Sequence, residues 1–206
     1  MTRVVIVDTG LCNLDSIRRA LEECGGTTHV TTVPEDLARA DRIVLPGVGA
    51  FGDAMANLRS TGLHEALPAQ AAEGVPLLGV CLGMQLLATS GTEGGEHAGL
   101  GLVPGTVVRL VPDERDRRVP HVGWNEVDVR ASRLLDGVAE DADFYFVHSY
   151  HLQCDDERDV AATTPYCGGF VSVVERGNVV GTQFHPEKSQ RHGFAVLRSF
   201  VGGRWC

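Results

Sequence analysis

Cations, apolar spans and metal-ligand spacings are all in short supply in this sequence. Lys and Arg number 18 against 27 Asp and Glu, giving a net charge of −9 at pH 7, and the local basic run is confined to Glu114 to Arg118. A phosphate backbone is gripped by a clustered cationic face, so DNA and RNA are excluded as expected partners. At the N-terminus, Val4 to Val7 is an apolar run stopped by Asp8, too short for a membrane span or a secretory leader. A cytoplasmic protein with no membrane partner is expected. The six cysteines (12, 24, 81, 154, 167 and 206) contain no C-x-x-C pair, and a chain of this length needs no disulfide staples, so free thiols are expected. The eight histidines show no H-x-x-x-H or H-E-x-x-H spacing, and His148 and His151 adjoin no cysteine pair, so no metal is expected. At the Gly10 loop neither G-x-G-x-x-G nor the P-loop pattern is found, which removes the nucleotide reading of that loop, and no cofactor is expected.

What is present fits one domain over residues 1–206: 43% of residues are hydrophobic, enough to bury a core. The pattern predicts a strand over Arg3 to Asp8 and a helix over Asn13 to Cys24. A strand around His29 to Thr32, a short helix over Pro34 to Ala40 and a strand over Arg42 to Leu45 come next. Phe51 to Glu73 reads as helix with breaks at Gly62 and Pro68, leading into a strand over Val75 to Val80 and a helical pattern to about residue 90. This alternation implies an α/β fold with a doubly wound, mostly parallel sheet in three layers. Beyond the glycine-rich stretch Gly91 to Gly105, strands are expected over Thr106 to Leu110, Trp124 to Val129, Phe144 to Ser149, Val160 to Thr164, Phe170 to Glu175 and Val179 to Phe184. These predict a mixed or antiparallel extension of the sheet, with a closing helix over Gly193 to Val201.

The strand-to-helix junction Gly79-Val80-Cys81-Leu82-Gly83 is the chemically informative stretch. Strand, sharp turn and helix around a flanked nucleophile form the layout of a nucleophile elbow with a thiol in place of the hydroxyl. Glycines on both sides remove Cβ atoms that would clash, and the following helix points backbone N–H groups and its positive end toward the sulfur. Gln85 lies one turn on, on the same face. A buried core cysteine between packing glycines is the other reading. The loop Pro46-Gly47-Val48-Gly49, at the end of a neighbouring strand, can turn amides toward a ligand or be a plain tight turn.

A thiol nucleophile needs an imidazole to move its proton and a carboxylate to hold that ring. His185-Pro186-Glu187 supplies both residue types at the end of the apolar strand Val179 to Phe184, with Pro186 stiffening the loop between them. A surface turn is the alternative.

Together, G-V-C-L-G-M-Q-L-L and Q-F-H-P-E-K-S resemble the class I (triad) glutamine amidotransferases. The stretches P-H-V-G-W-N (from Pro120) and F-Y-F-V-H-S-Y-H (from Phe144) narrow the resemblance to the HisH family, the glutaminase subunits of imidazole glycerol phosphate synthase. The resemblance spans Asp8 to Ser189 in five ordered motifs. Anthranilate synthase-type glutaminases typically carry C-L-G-H-Q where Met84 stands here, and the pyridoxal phosphate synthase type has C-A-G. Thr9 and Cys12 depart from the D-Y-G-x-G-N of many members.

The resemblance implies that Cys81 attacks the side-chain amide of glutamine, that His185 shuttles the proton and that Glu187 orients His185. It implies an oxyanion site built from the Leu82 N–H and the Gly47, Val48, Gly49 loop after a peptide flip. Gln85, Ser149 and Tyr150 would bind the amino-acid end of the substrate, and Asn13, Trp124, Tyr145 and Lys188 would lie at a partner interface or gate. The partner implied is HisF, a (β/α)8-barrel cyclase in a 1:1 heterodimer, which uses the ammonia. The competing readings are an amidotransferase feeding another pathway such as surface-sugar amidation, a partner-free cysteine hydrolase of γ-glutamyl peptides and a non-catalytic binding protein.

Overall fold

The computed structural model describes residues 1–10, 13–139 and 142–205. Cys12, with its departure from the family motif, and Cys206 lie outside the described residues; Cys24, Cys81, Cys154 and Cys167 are free thiols. The first half runs β1 (Thr2–Val7), α1 (Leu14–Glu23), β2 (Gly26–Thr31), a 3-10 turn at Pro34–Arg39, β3 (Arg42–Gly47), α2 (Phe51–Thr61), α3 (Leu63–Ala72), β4 (Leu77–Cys81) and α4 (Leu82–Leu86). The second half is strand-rich: β5 (Ala88–Gly91), β6 (His97–Ala98), β7 (Val103–Arg109), β8 (His121–Glu126), β9 (Asp128–Val129), β10 (Asp143–His148), β11 (Tyr150–Cys154), β12 (Val160–Thr164), β13 (Phe170–Arg176) and β14 (Val179–Thr182). A 3-10 turn at Pro186–Lys188 and α5 (Gln190–Gly202) close the chain.

The main sheet has the order β2-β1-β3-β4-β14-β13-β12-β9. Its first five strands are parallel and its last three join antiparallel. Successive side chains of a strand point to opposite faces. Accordingly Val4 and Ile6 of β1 enter one core with Ile17 and Leu21 of α1 and Val196, Leu197 and Phe200 of α5. Val5 and Val7 enter the other, with Met55 and Leu58 of α2 and Leu63 and Leu67 of α3. Strands covered on both faces read as unbroken apolar runs, which is why the parallel half was visible in the sequence. No helix among the described residues is long and apolar enough to cross a membrane.

Three expectations need correction. The helical pattern after Cys81 ends at Leu86 instead of continuing toward residue 90. The carbonyls of Leu86, Leu87, Ala88 and Thr89 accept hydrogen bonds from the backbone N–H groups of Leu100, Leu102, Gly101 and Gly99, so they cannot close another helical turn. The glycine-rich segment makes this possible: a Cβ on Gly99 would sit 2.2 Å from the Ala88 carbonyl oxygen. Secondly, the strands of the second half do not all extend one sheet. Antiparallel β8 and β10 pair separately, and β11-β7-β5-β6 form a third sheet. Thirdly, the Phe51 to Glu73 helix breaks at Gly62, in the left-handed conformation (φ +78°), but runs through Pro68. Burial of Leu63, Leu67 and Ala71 on one face holds α3 across the missing N–H.

Candidate active site

At the C-terminal end of β4, Cys81 adopts φ +54°, ψ −109°, a conformation that is costly for a residue with a Cβ. The turn is over-determined by its glycines. A Cβ on Gly83 would lie 1.7 Å from the Leu45 carbonyl oxygen, and one on Gly79 would lie 2.6 Å from that of Gly83. The first turn of α4 therefore sits directly against the ends of β3 and β4, and no other residue type permits it. This places Cys81, only 5% exposed, at the rim where β3 and β14 flank β4.

Because β14 pairs in register with β4, Thr182 opposite Val80, the segment Gln183 to Glu187 emerges at the same rim. His185 and Glu187 are held there by a buried brace. The Ser189 hydroxyl donates to the His185 carbonyl at 2.6 Å and accepts from the Tyr145 N–H at 3.0 Å, while the His185 N–H donates to the Tyr145 carbonyl at 3.0 Å. The His185 Nδ1–H donates to Glu187 Oε1 at 2.9 Å, which leaves Nε2 as the nitrogen available for proton transfer. Nε2 is buried and, among the described residues, has no hydrogen-bond partner of standard geometry. Burial lowers the proton affinity of this ring, but the Cys81 sulfur and the Glu187 carboxylate together outweigh it and push the pKa up to about 9. The arrangement can take a proton from a thiol and hand it on.

A chain of amides surrounds the sulfur. Gln85 Nε2 donates to the Tyr150 carbonyl at 2.7 Å and to Gln183 Oε1 at 3.1 Å, and Gln183 Nε2 lies 3.7 Å from Cys81 Sγ. On the other side, His148 Nδ1 meets the Tyr150 carbonyl at 2.9 Å and its Nε2 meets His121 Nδ1 at 3.2 Å. Burial pushes the His148 pKa down to about 3 and that of His121 to about 4, so both rings are neutral members of the core.

A cleft of about 260 Å³ opens over the sulfur, lined by Val48, Gly49, Cys81, Leu82, Gln85, Glu93, Val147, His148, Ser149 and Tyr150. Of the residues expected at the substrate site, all but Gly47 reach it. Gly47 pairs with Cys81 in the β3–β4 ladder and packs under Leu82, where an added Cβ would meet that side chain at 3.1 Å. Gly49 adopts φ +106°, which turns the loop toward the cleft. Besides Val147 and His148, which line the cleft from within the F-Y-F-V-H-S-Y-H stretch, two residues at the site escaped sequence reading. Glu93 lies in the polar glycine-rich stretch, lines the cleft and accepts the Phe51 N–H at 2.8 Å. Gln183 opens the Q-F-H-P-E stretch, where the chemistry of its neighbours drew the reading. Neither carries a local pattern that distinguishes it; only topology does.

Asn13, Trp124, Tyr145 and Lys188 lie on successive neighbours: α1 packs on the Pro186–Lys188 turn, that segment bonds to β10, and β10 pairs with β8. Asn13 and Lys188 are exposed. In the β8–β10 ribbon Trp124 stands opposite Tyr145, and Val122 opposite Val147. Trp124 is 47% and Val122 58% exposed, whereas Phe144, Phe146, His121 and His148 turn inward. Among the described residues no cluster of three or more His, Cys, Asp or Glu could hold a metal ion.

The class-I glutamine amidotransferase family model matches residues 5–201. The chain is 47% identical over 201 residues to the imidazole glycerol phosphate synthase subunit HisH of Moorella thermoacetica, covering 97% of this chain and 94% of that protein. It is 48% identical over 207 residues to the protein of the same name from Natronomonas pharaonis, covering 96% and 93%. Among solved structures it is similar to PurLQS from Thermotoga maritima, with TM-score 0.77, 19% identity and coverage of 98% and 99%. It is also similar to a glutamine amidotransferase from Thermotoga maritima, with TM-score 0.68, 16% identity and coverage of 93% and 78%. These two likenesses bear on the fold alone.

Proposed function

The chain belongs to the class-I glutamine amidotransferase family, and from that premise we propose that it is the glutaminase subunit of imidazole glycerol phosphate synthase, acting as a single amidotransferase domain. The observation that carries the reaction is the meeting of Cys81, His185 and Glu187 at the ends of two adjacent parallel strands. Cys81 gives its proton to His185 Nε2 and attacks the carboxamide carbon of glutamine, forming a C–S bond and an oxyanion. The Leu82 N–H and an amide of the Gly47-Val48-Gly49 loop stabilise that charge. Collapse breaks the C–N bond as His185 returns the proton to the leaving nitrogen, releasing ammonia. Water, deprotonated by the same ring, then cleaves the thioester to glutamate, so that glutamine and water become glutamate and ammonia. Throughout, Glu187 holds the ring by its Nδ1–H.

The cleft supports the choice of substrate. The Glu93 carboxylate suits an α-ammonium group. The Gln85 amide has both hydrogens committed to protein carbonyls, which leaves its oxygen for a ligand donor. Backbone groups of Ser149 and Tyr150 complete the amino-acid end. Ammonia released into water is protonated and lost, which favours delivery within a docked complex. The partner in this reading is the cyclase HisF, a (β/α)8 barrel bound 1:1 in the cytoplasm. It covers the face that carries Asn13, Trp124, Tyr145 and Lys188. The cyclase would join the ammonia to its nucleotide substrate to give imidazole glycerol phosphate and aminoimidazole carboxamide ribotide.

The test compares glutamine-dependent with ammonia-dependent product formation by the purified pair. Cys81→Ala should abolish the first and leave the second intact. Glutamine-dependent activity surviving in Cys81→Ala would refute the nucleophile, and glutaminase turnover indifferent to the ligand-bound cyclase would refute the coupling.

A further inference from the structure

Hydrogen-bond direction around Cys81 is fixed by one backbone carbonyl. The Tyr150 oxygen can only accept, so the group 2.7 Å from it on Gln85 must be the amide NH2. The same NH2 faces Gln183 at 3.1 Å, so the Gln183 atom there must be its oxygen. The remaining end of the Gln183 amide, 3.7 Å from Cys81 Sγ, is therefore a donor. Turning Gln183 over would set two NH2 groups against each other in the core and leave a buried hydrogen bond unmade. The second lone pair of the same carbonyl is taken by the His148 Nδ1–H at 2.9 Å, which makes His148 Nε2 the acceptor of the His121 Nδ1–H at 3.2 Å. Gln183 is 0% exposed, so its amide depends on these protein partners and not on bulk water.

We propose that Gln183 is a positioning residue for the nucleophile, aiming one amide N–H at the Cys81 sulfur and stabilising its thiolate, with its orientation imposed through Gln85 by the Tyr150 carbonyl. This rests on the reading of Cys81 as the nucleophile. A thiolate accepts hydrogen bonds better than a thiol, so a donor held at the sulfur favours the ionised form both before attack and after thioester breakdown. His185 cannot supply this alone. Its proton is passed to the leaving nitrogen and taken up again from water within each turnover, whereas the Gln183 N–H stays at the sulfur throughout. A second consequence is that substrate binding and nucleophile activation share one part: Gln85 lines the cleft and also sets the direction of Gln183.

The experiment uses the chain bound to its cyclase and reads Cys81 in two ways, by iodoacetamide alkylation at neutral pH and by glutaminase kinetics. Gln183→Glu keeps an oxygen for Gln85 and replaces the donor with oxygen. Alkylation and kcat should fall by about tenfold, the scale of one charge-assisted hydrogen bond, with KM for glutamine changed less than about twofold. Gln183→Leu, which also releases Gln85, should in addition raise KM. Wild-type rates of alkylation and turnover in a folded Gln183→Glu protein would overturn the proposal. So would equal losses in kcat and affinity in both variants, the result of general loosening. Alkylation that spares Cys81 while abolishing activity would sink the nucleophile, and this inference with it.

If neither variant folds, the wild-type protein answers the question through the nitrogen-15 side-chain amide resonance of Gln183. It should titrate together with the Cys81 alkylation rate and lose that titration in Cys81→Ala. The other titratable groups facing this corner are His185, Glu187, His148 and, across the cleft, Glu93. A titration that persists without the thiol belongs to one of them and counts against the proposal, as does a resonance that never moves.

Discussion

Gly83 and Gly202 form a pair that separates close approach from mere flexibility. A Cβ at Gly83 would fall 1.7 Å from a backbone oxygen that cannot move without parting α4 from β3, whereas one at Gly202, at the end of α5, meets nothing within 4 Å. Gly83→Ala should cost more than about 3 kcal/mol and remove activity. Gly202→Ala should be neutral or gain up to about 1 kcal/mol from helix propensity. Urea unfolding of the two variants beside wild type checks the contrast. The two glycines around Cys81 were readable as a constraint from spacing alone, but their clash partners were not: Gly79 yields to Gly83, and Gly83 to the neighbouring strand. Cys81, His185 and Glu187 could be singled out in the sequence because few residue types can do the chemistry proposed for them. Gln183 and Glu93 were not, since a lone polar residue at a strand end or in a glycine-rich loop has many possible neighbours until the chain is folded.

The segment from His185 to Ser189 depends on an element far from it in sequence. Ser189 bridges the His185 carbonyl and the Tyr145 N–H, tying the turn that carries the imidazole to β10. Ser189→Ala leaves both partners short of a bond in a buried place, so a loss of about 1–3 kcal/mol in unfolding free energy is expected. A fall in kcat larger than the rise in KM should accompany it, because the ring and not the cleft is loosened. Denaturation and steady-state kinetics on the same preparation test both parts. Elements with unbroken apolar runs, β1, β3 and β4, were readable almost to their ends. The strand β11, Tyr150–Cys154, was not: its sequence alternates histidine and glutamine with apolar residues, and its partner β7 lies some forty positions away. The shortness of α4 was hidden for a related reason, since its propensity is helical throughout and only the returning segment at 99–103 claims its carbonyls.

Over the whole molecule, acid and alkali should destabilise the fold through different histidines. The His148 pKa is depressed to about 3 in the native state, so below the ordinary 6.5 the unfolded chain takes up a proton that the native chain refuses. Stability from this residue is full above pH 6.5 and is lost as pH falls toward 3, at about 1.4 kcal/mol per pH unit. His121 acts in the same direction. For His185, raised to about 9, the sign reverses: its contribution is complete below 6.5 and disappears as pH rises through 9. Calorimetric melting across this range should give a dome, and His148→Gln should flatten its acid limb while leaving the alkaline limb in place. At this scale the doubly wound, parallel character of the first half followed from the alternation of elements. The division of the second half into three sheets did not, because short strands joined by polar turns do not say which edge they will meet. One further consequence follows from the exposed Lys188 beside His185 and Glu187. It is the only lysine in the sequence. An amine-directed fluorophore therefore finds a single lysine side chain in this sequence. Labelling would thus install a reporter at the proposed docking rim without any engineering, and its quenching would follow complex assembly in real time.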